Sequence, residues 1–168
     1  SPVLAMSEQA VQRVPRVNRM LVPLDGSETA NRILPIVQEM ALATDAIVDL
    51  YRVVAPPWVG DALNAVQSGR IDRFGVDPTA DQAKHELERA AQELIYHGVK
   101  ATSTIEVATN PVRAILDRIA LTDPDLVACT THGRGLSRLF LGSVADKVLR
   151  AGGRPALCWR PPHAPGKP

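Results

Sequence analysis

A chain of 168 residues is long enough for one domain that buries roughly 70% of the surface its unfolded form exposes. Hydrophobic residues make up 45%, charged residues 22%, and the net charge is +1, a balance typical of a soluble α/β protein and not of a nucleic-acid binder. No apolar run approaches the roughly 20 residues of a membrane-spanning helix, and no secretory signal is visible, so we expect a cytoplasmic protein without membrane contact.

The first half of the chain alternates between strand and helix patterns. Arg19–Leu24 and Ala46–Val54 are apolar runs rich in β-branched residues, which predicts two strands, and Pro23 is tolerable only where a strand ends. Ser27 is a suitable N-cap for a helix between these strands, and Pro35 should kink that helix. A long stretch rich in proline and glycine follows the second strand, and a connection of this length is either functional or mobile.

The second half continues the alternation. Asp77 begins the longest predicted helix, whose apolar residues recur on one face. Ala101–Ala108 and Asp125–Thr130 are the next two predicted strands. The pair Asn110-Pro111 offers an N-cap and a first helical residue for the helix between them.

A helix over Ser143–Ala151 and a strand over Pro155–Trp159 complete the pattern. This order of elements predicts an α/β fold with a five-stranded parallel, doubly wound sheet and helices on both faces. In such sheets, ligands bind beyond the carboxyl ends of the strands, where the strand order reverses. Residues just after the first, second and fourth strands are therefore the first candidates for a site.

The segment after the fourth strand, THGRGLSRLFLGSVADKV, has the composition of an anion-binding loop. Gly133 and Gly135 let the backbone approach a ligand, and Gly142-Ser143 opens a helix whose free N–H groups attract phosphate. Between residues 131 and 168, seven Lys or Arg side chains oppose a single Asp, and this net charge of +6 fits either a local anion or a solvated basic face. The segment is neither a Walker A loop nor a dinucleotide fingerprint, so these residues alone leave a phosphate loop and a plain glycine turn equally open.

Two longer pieces make the sequence similar to a known family. NRMLVPLDGSETA near the start and TTHGRGLSRLFLGSVADKVLRAGGRPALCWRP near the end resemble the universal stress protein family. The resemblance implies a Rossmann-like domain of the adenine nucleotide alpha hydrolase type over residues 18–161, between a flexible N-terminal extension at 1–17 and a disordered tail at 162–168. It also implies a homodimer formed through the last strand, which we expect at an edge of the sheet.

One branch of that family binds ATP on the loop after the fourth strand, with the pattern glycine, two residues, glycine, nine residues, glycine, and then Ser or Thr. In this chain the second glycine is Gly133 and the final pair is Gly142-Ser143. Thr130 stands in place of the first glycine, and eight residues instead of nine separate Gly133 from Gly142. These departures lower the affinity expected for the nucleotide without abolishing the site.

The resemblance also implies the rest of a nucleotide pocket. Asp25 would accept a hydrogen bond from a ribose hydroxyl, above a floor lined by Pro23. The backbone of Val53 would pair with the edge of adenine, and Cys129 would lie under the base. Val144 would lie behind the phosphates. The implied ligand is ATP, or AMP or ADP, and any Mg²⁺ would be carried by the nucleotide.

The residues themselves add one candidate and leave other interpretations open. Arg134 could donate to phosphate oxygens, which the family does not require. Asp25 could equally be a cap at the helix entry, and Val53 and Cys129 could be ordinary core. The predicted nucleotide-binding residues are Pro23, Asp25, Val53, Cys129, Thr130, Gly133, Arg134, Gly142, Ser143 and Val144.

The cysteines and histidines do not suggest a metal centre. Cys129 and Cys158, the only two cysteines, lie inside apolar runs, which in a reducing cytoplasm favours small buried residues over a disulfide. The four histidines are scattered, and no Cys/His spacing resembles a zinc site.

Three classes of function follow from these patterns. The first is a regulatory stress-response protein that binds ATP with little or no turnover, because the chain has no nucleophile–base pair and no paired carboxylates. The second is a nucleotide-free dimeric interaction module of the same family with a degenerate ATP loop. The third is an adenylating or ATP-pyrophosphatase-type enzyme, which is disfavoured because such enzymes carry Ser-Gly-Gly-x-Asp-Ser after the first strand, where this chain has LDGS.

Overall fold

A computed structural model describes residues 3–5, 16–56, 78–130 and 143–160 of the chain. The strands are β1 Val3–Ala5, β2 Arg19–Pro23, β3 Ile47–Val54, β4 Lys100–Val107, β5 Leu126–Thr130 and β6 Ala156–Trp159. The helices are α1 Glu28–Asn31, α2 Leu34–Thr44, α3 Pro78–Tyr96, α4 Pro111–Thr122 and α5 Ser143–Ala151. All five predicted strands are present, each within one residue of its predicted bounds. Most of the long connection after β3 and the predicted tail lie outside the described residues.

The five predicted strands form one parallel sheet in the order β6-β5-β2-β3-β4. The chain first adds β3 and β4 on one side of β2 and then returns to add β5 and β6 on the other side. The strand order therefore reverses between β2 and β5. This arrangement confirms the predicted doubly wound, Rossmann-like α/β fold.

A sixth strand lies beyond β6. β1 pairs antiparallel with β6, and the register places Val3 opposite Cys158 and Ala5 opposite Ala156. The expectation that the last strand lies at a sheet edge is wrong for this structure, because β1 occupies that edge. The N-terminal extension thus contributes a strand, while residues 6–15 lie outside the described part of the chain.

The single helix predicted from Ser27 is two helices. The Ser27 Oγ accepts a hydrogen bond from the Ala30 N–H at 3.0 Å and caps the short α1. α2 then begins at Leu34 with Pro35 in its first turn. A first-turn N–H has no acceptor within the helix, so proline costs nothing there, whereas its ring excludes it from a helix interior. The predicted kink at Pro35 is therefore a break between helices.

Two apolar clusters cover the two faces of the sheet. On one face, α2 and α3 pack against β2 and β3, with Val37 and Leu87 buried between them. On the other face, α4 and α5 pack over Leu21, Tyr51 and Val127. Within the described ranges, no helix has both the length and the apolar character needed to cross a membrane.

Candidate functional site

A cavity of about 420 Å³ opens at the carboxyl ends of β2, β3 and β5, with α4 and α5 completing its walls. Five of the predicted binding residues line it together, namely Pro23, Asp25, Val53, Cys129 and Thr130. The cavity lies between β2 and β5, where the strand order reverses. Open α/β sheets bind ligands at this position.

The cavity exists because β2 and β5 separate before they end. Their shared register stops at the pair Leu21 and Val127. Beyond this pair β2 stays with β3, since the Leu24 N–H donates to the Tyr51 carbonyl oxygen at 2.8 Å. Successive residues of a strand bond to opposite neighbours, so the nitrogen of Pro23 faces β5, where it has no hydrogen to donate. Proline at this position ends the ladder with β5 and leaves the crevice open.

Asp25 lies exposed at the rim of the cavity, on the turn from β2 to α1. Its Oδ1 accepts a hydrogen bond from the Ser27 N–H at 2.9 Å, so Asp25 stabilises the turn that enters α1, which is the alternative role considered from the sequence. Gly26 has a φ of +81°, and a Cβ there would also clash with the Arg52 guanidinium. Arg52 in turn donates to Glu86 at 2.8 Å and lowers the pKa of that carboxyl. These contacts fix the turn that carries the Asp25 carboxylate.

The remaining cavity residues were not selected from the sequence. They are Leu24, Ala30, Tyr51, Pro111, Ile115, Val127, Ala145 and Val148. The sequence did contain a signal for Tyr51. It is two residues before Val53, and alternate residues of a strand share a face, so both side chains are expected on the cavity side. The contributions of Pro111 and Ile115 depend on how α4 packs on the sheet, which the local sequence does not encode.

Tyr51 is fully buried in the cavity wall. Its hydroxyl donates to a carboxylate oxygen of Glu106 and lies 3.3 Å from the Ala114 carbonyl oxygen. Burial, assisted by the hydrogen bond to Glu106, raises the pKa of Tyr51 well above its ordinary value. The hydroxyl therefore stays protonated and remains a donor throughout the physiological pH range.

A buried ion pair holds α4 against β3 behind this wall. Asp49 is 1% exposed and accepts from Nη2 of Arg118 at 2.8 Å and from its Nε at 2.9 Å. Thr102 adds a hydroxyl contact to the carboxylate at 3.3 Å. The Arg118 guanidinium also lies 5.6 Å from the centre of the Tyr51 ring, within range of a cation–π contact. The pair thus sets the position of the helix that supplies two of the cavity residues.

The phosphate side of the predicted pocket is only partly described. Gly133, Arg134 and Gly142 lie outside the described residues. Ser143 is the first residue of α5 and Val144 follows it, so both belong to the first turn of a nine-residue helix. The next cavity-lining residue, Ala145, brings this first turn to the cavity. A helix N-terminus at this place favours an anion, because the first N–H groups of a helix have no acceptor within the helix and the helix dipole is positive there.

The cavity has the size and chemistry of a small-molecule site. About 420 Å³ falls within the range of small-molecule sites, and most lining residues are apolar. Asp25 supplies a carboxylate at the rim, which can accept hydrogen bonds from a ligand. Among the residues that the structure describes, no group of three or more His, Cys, Asp or Glu side chains could hold a metal ion.

Comparison with known proteins gives one family and several similar folds. The model of the universal stress protein family matches residues 16–160. The solved structure of the hypothetical protein MJ0577 is similar with a TM-score of 0.71 and 24% identity, over 89% of this chain and 100% of that one. No curated protein sequence matches the chain.

Two further similar structures hold ligands. A universal stress protein from Archaeoglobus fulgidus, solved in complex with dAMP, has a TM-score of 0.56 and 22% identity over 83% of this chain and 95% of its own. A universal stress protein solved in complex with cAMP has a TM-score of 0.60 and 19% identity, over 86% of this chain and 97% of that one. Identities this low establish a common fold but not a common ligand or role.

Proposed function

The chain belongs to the universal stress protein family, and from this membership and the geometry of the cavity we propose that it binds an adenine nucleotide as a regulatory ligand. One observation carries the proposal: Pro23, Asp25, Val53, Cys129 and Thr130, each given a place around one nucleotide by the family resemblance, line a single cavity at the switch point. ATP is the proposed ligand, with ADP and AMP as its smaller forms, and the proposed setting is the cytoplasm. The universal stress proteins solved with dAMP and cAMP support the adenine class.

The proposed binding mode divides the nucleotide between two parts of the site. Adenine would lie between Val53 and Cys129 in the apolar part of the cavity. Asp25 at the rim would accept from a ribose hydroxyl. The phosphates would extend toward the first turn of α5 and the glycine-rich segment before it, and Mg²⁺ would arrive bound to them.

Mass spectrometry of the denatured protein and calorimetry with ATP test the proposal directly. We expect an adenine nucleotide to accompany the purified chain, or ATP to bind in a titration. Repeated absence of copurified nucleotide, together with no heat of binding at millimolar ATP, would favour the nucleotide-free interaction module of the same family.

The same preparation tests the expectation of little or no turnover. We expect ATP to be recovered intact after long incubation with the protein. Steady release of phosphate, or of pyrophosphate in the presence of an acceptor, would contradict a purely regulatory role and favour an enzyme.

Substituting Asp25 with asparagine is expected to weaken ATP binding about fivefold, or close to 1 kcal/mol. The asparagine carbonyl can still accept from the Ser27 N–H, so the turn and the thermal midpoint should be preserved. What is lost is the charge that strengthens the hydrogen bond from the ribose hydroxyl. Calorimetric titrations of wild-type and Asp25→Asn proteins measure the difference.

A nucleotide without ribose hydroxyls provides the matched control. The affinity for 2′,3′-dideoxy-ATP should be the same for wild-type and Asp25→Asn proteins, because the proposed partner of the carboxylate is missing. If the substitution weakens both ligands equally, Asp25 acts through the turn and does not contact the sugar.

We also propose that dimerisation through β6 competes with β1. The family dimer would need the β6 edge that Val3–Ala5 covers in this structure. Deleting residues 1–5 is therefore expected to expose an unpaired edge and shift the equilibrium toward dimer, measured by sedimentation at micromolar concentration. Should the full chain dimerise and the shortened chain be monomeric, β1 would be part of the interface and the competition would be disproved.

A further inference from the structure

Two thiols face each other at the cavity wall, one lining the cavity and one behind it. β5 and β6 are parallel neighbours, and their register places Cys129 directly opposite Cys158. The two Sγ atoms are 3.9 Å apart, and both cysteines are free. Cys129 is half-buried and lines the cavity, whereas Cys158 is buried behind it. A reagent that enters the cavity therefore meets one thiol with a second directly behind it.

The backbone already has the spacing that a disulfide requires. Neighbouring strands lie about 4.8 Å apart, within the range of roughly 4.4–6.8 Å between Cα atoms that a disulfide spans. Because register partners project to the same face of a sheet, the sulfur atoms need only side-chain rotation to move from 3.9 Å to a bond of about 2.05 Å.

The thiols also affect one another's acidity. Either sulfur can be the donor in the contact between the two thiols. With Cys129 as the donor, the hydrogen bond lowers the pKa of Cys158. The same hydrogen bond, with burial, raises the pKa of Cys129. Cys158 is thus the first of the two to ionise, while Cys129, the thiol that lines the cavity, keeps its proton. This is the arrangement in which a thiolate reacts next to a resolving thiol.

We propose that Cys129 and Cys158 form a redox-responsive pair that a hydroperoxide converts into an intrachain disulfide at the cavity wall. One thiol attacks the O–O bond of the peroxide, giving a sulfenic acid and releasing water or an alcohol. The second thiol then displaces the hydroxyl of the sulfenic acid as water, and the S–S bond forms. In total the two thiols lose two protons and two electrons, and one peroxide is reduced to two molecules of water, or to water and an alcohol. The balance is the same whichever sulfur reacts first.

The bond would couple oxidation to the cavity. Its two ends are 29 positions apart in the chain, and between them lie the glycine-rich segment and α5. Drawing the Cys129 sulfur toward β6 removes it from its place in the cavity lining. This coupling rests on the proposed nucleotide function, whereas the disulfide itself does not.

Intact-mass spectrometry of the full chain tests the disulfide. The reduced, folded protein is treated with hydrogen peroxide and measured without reductant, and we expect the loss of two hydrogen masses, restored by dithiothreitol. Since the chain has only two cysteines, peptide mapping should find Cys129 linked to Cys158. The variants Cys129→Ser and Cys158→Ser should not lose this mass. A product that is linked between chains, or that only gains oxygen, would overturn the proposal.

Calorimetry with ATP on the reduced and oxidised proteins tests the coupling. We expect the oxidised form to bind ATP at least about fivefold more weakly than the reduced form, since fivefold is the lower end of the affinity changes typical of coupled sites. Equal affinities of the two forms would overturn the coupling. If neither form binds ATP while the disulfide still forms reversibly, the proposed function fails and the redox pair stands.

Discussion

Replacing Asp49 with alanine is expected to lower the free energy of unfolding by about 3–5 kcal/mol, the effect of breaking a buried ion pair from one side. Asp49 is 1% exposed and holds two guanidinium nitrogens of Arg118 at 2.8 and 2.9 Å. Without the carboxylate, the mostly buried charge of Arg118 keeps, within the described part of the chain, the Thr104 hydroxyl at 3.0 Å and the Tyr51 ring. Urea unfolding monitored by circular dichroism measures the loss.

An exposed ion pair on the same helix provides the control. Arg113 donates to Asp117 at 2.9 Å, one turn away along α4, and both side chains are largely exposed. Asp117→Ala should change the unfolding free energy by no more than about 0.5 kcal/mol. The double variant Asp49→Leu with Arg118→Met should be more stable than Asp49→Ala alone, because it leaves no buried charge. If Asp49→Ala costs as little as Asp117→Ala, the pair does not hold α4 on the sheet.

Most of the fold could be predicted because its signals are local. β5 is a continuous apolar run, as expected of a strand covered on both faces, and it is observed within one residue of its predicted start. The Asn110 side chain accepts from the Arg113 N–H at 3.1 Å, which confirms the predicted cap of α4. The order of such elements then restricts the topology, since parallel crossovers are right-handed and short.

The convergence of the site residues could be predicted for a related reason. Asp25 follows β2, and Thr130 ends β5, two strands separated by about a hundred residues in sequence but adjacent in the sheet. Once the sheet is parallel, residues at the carboxyl ends of neighbouring strands must lie at one edge. The proposed ligand could not be chosen from strand order alone, and came from the family resemblance.

What could not be predicted depends on contacts between distant parts of the chain. β1 has three residues and no periodic signal, and it exists only through pairing with β6. Asp49 and Arg118 are 69 positions apart, and no local sequence pattern around either residue indicates that the two side chains pair. The opposition of Cys129 and Cys158 likewise depends on the register between β5 and β6, which a shift of one residue would abolish.

Substituting Val53 with phenylalanine is expected to weaken ATP binding roughly 30-fold, close to 2 kcal/mol, because extra side-chain volume in space that a ligand fills costs about 1–3 kcal/mol. Val53 is half-buried near the end of β3 and lines the cavity where adenine is proposed to lie. The larger ring would occupy that volume and exclude the base. Because the ring enters open space and not the packed core, we expect the free energy of unfolding to change by less than about 1 kcal/mol.

The next residue of the strand separates exclusion of the base from disturbance of β3. Val54 is also half-buried but is absent from the cavity lining, because successive side chains of a strand point to opposite faces. Val54→Phe makes the same chemical change on the other face and should bind ATP with wild-type affinity in the same calorimetric titration. Equal weakening by the two variants would mean that β3 itself is perturbed. Unchanged binding in both would mean that the nucleotide does not occupy this cavity.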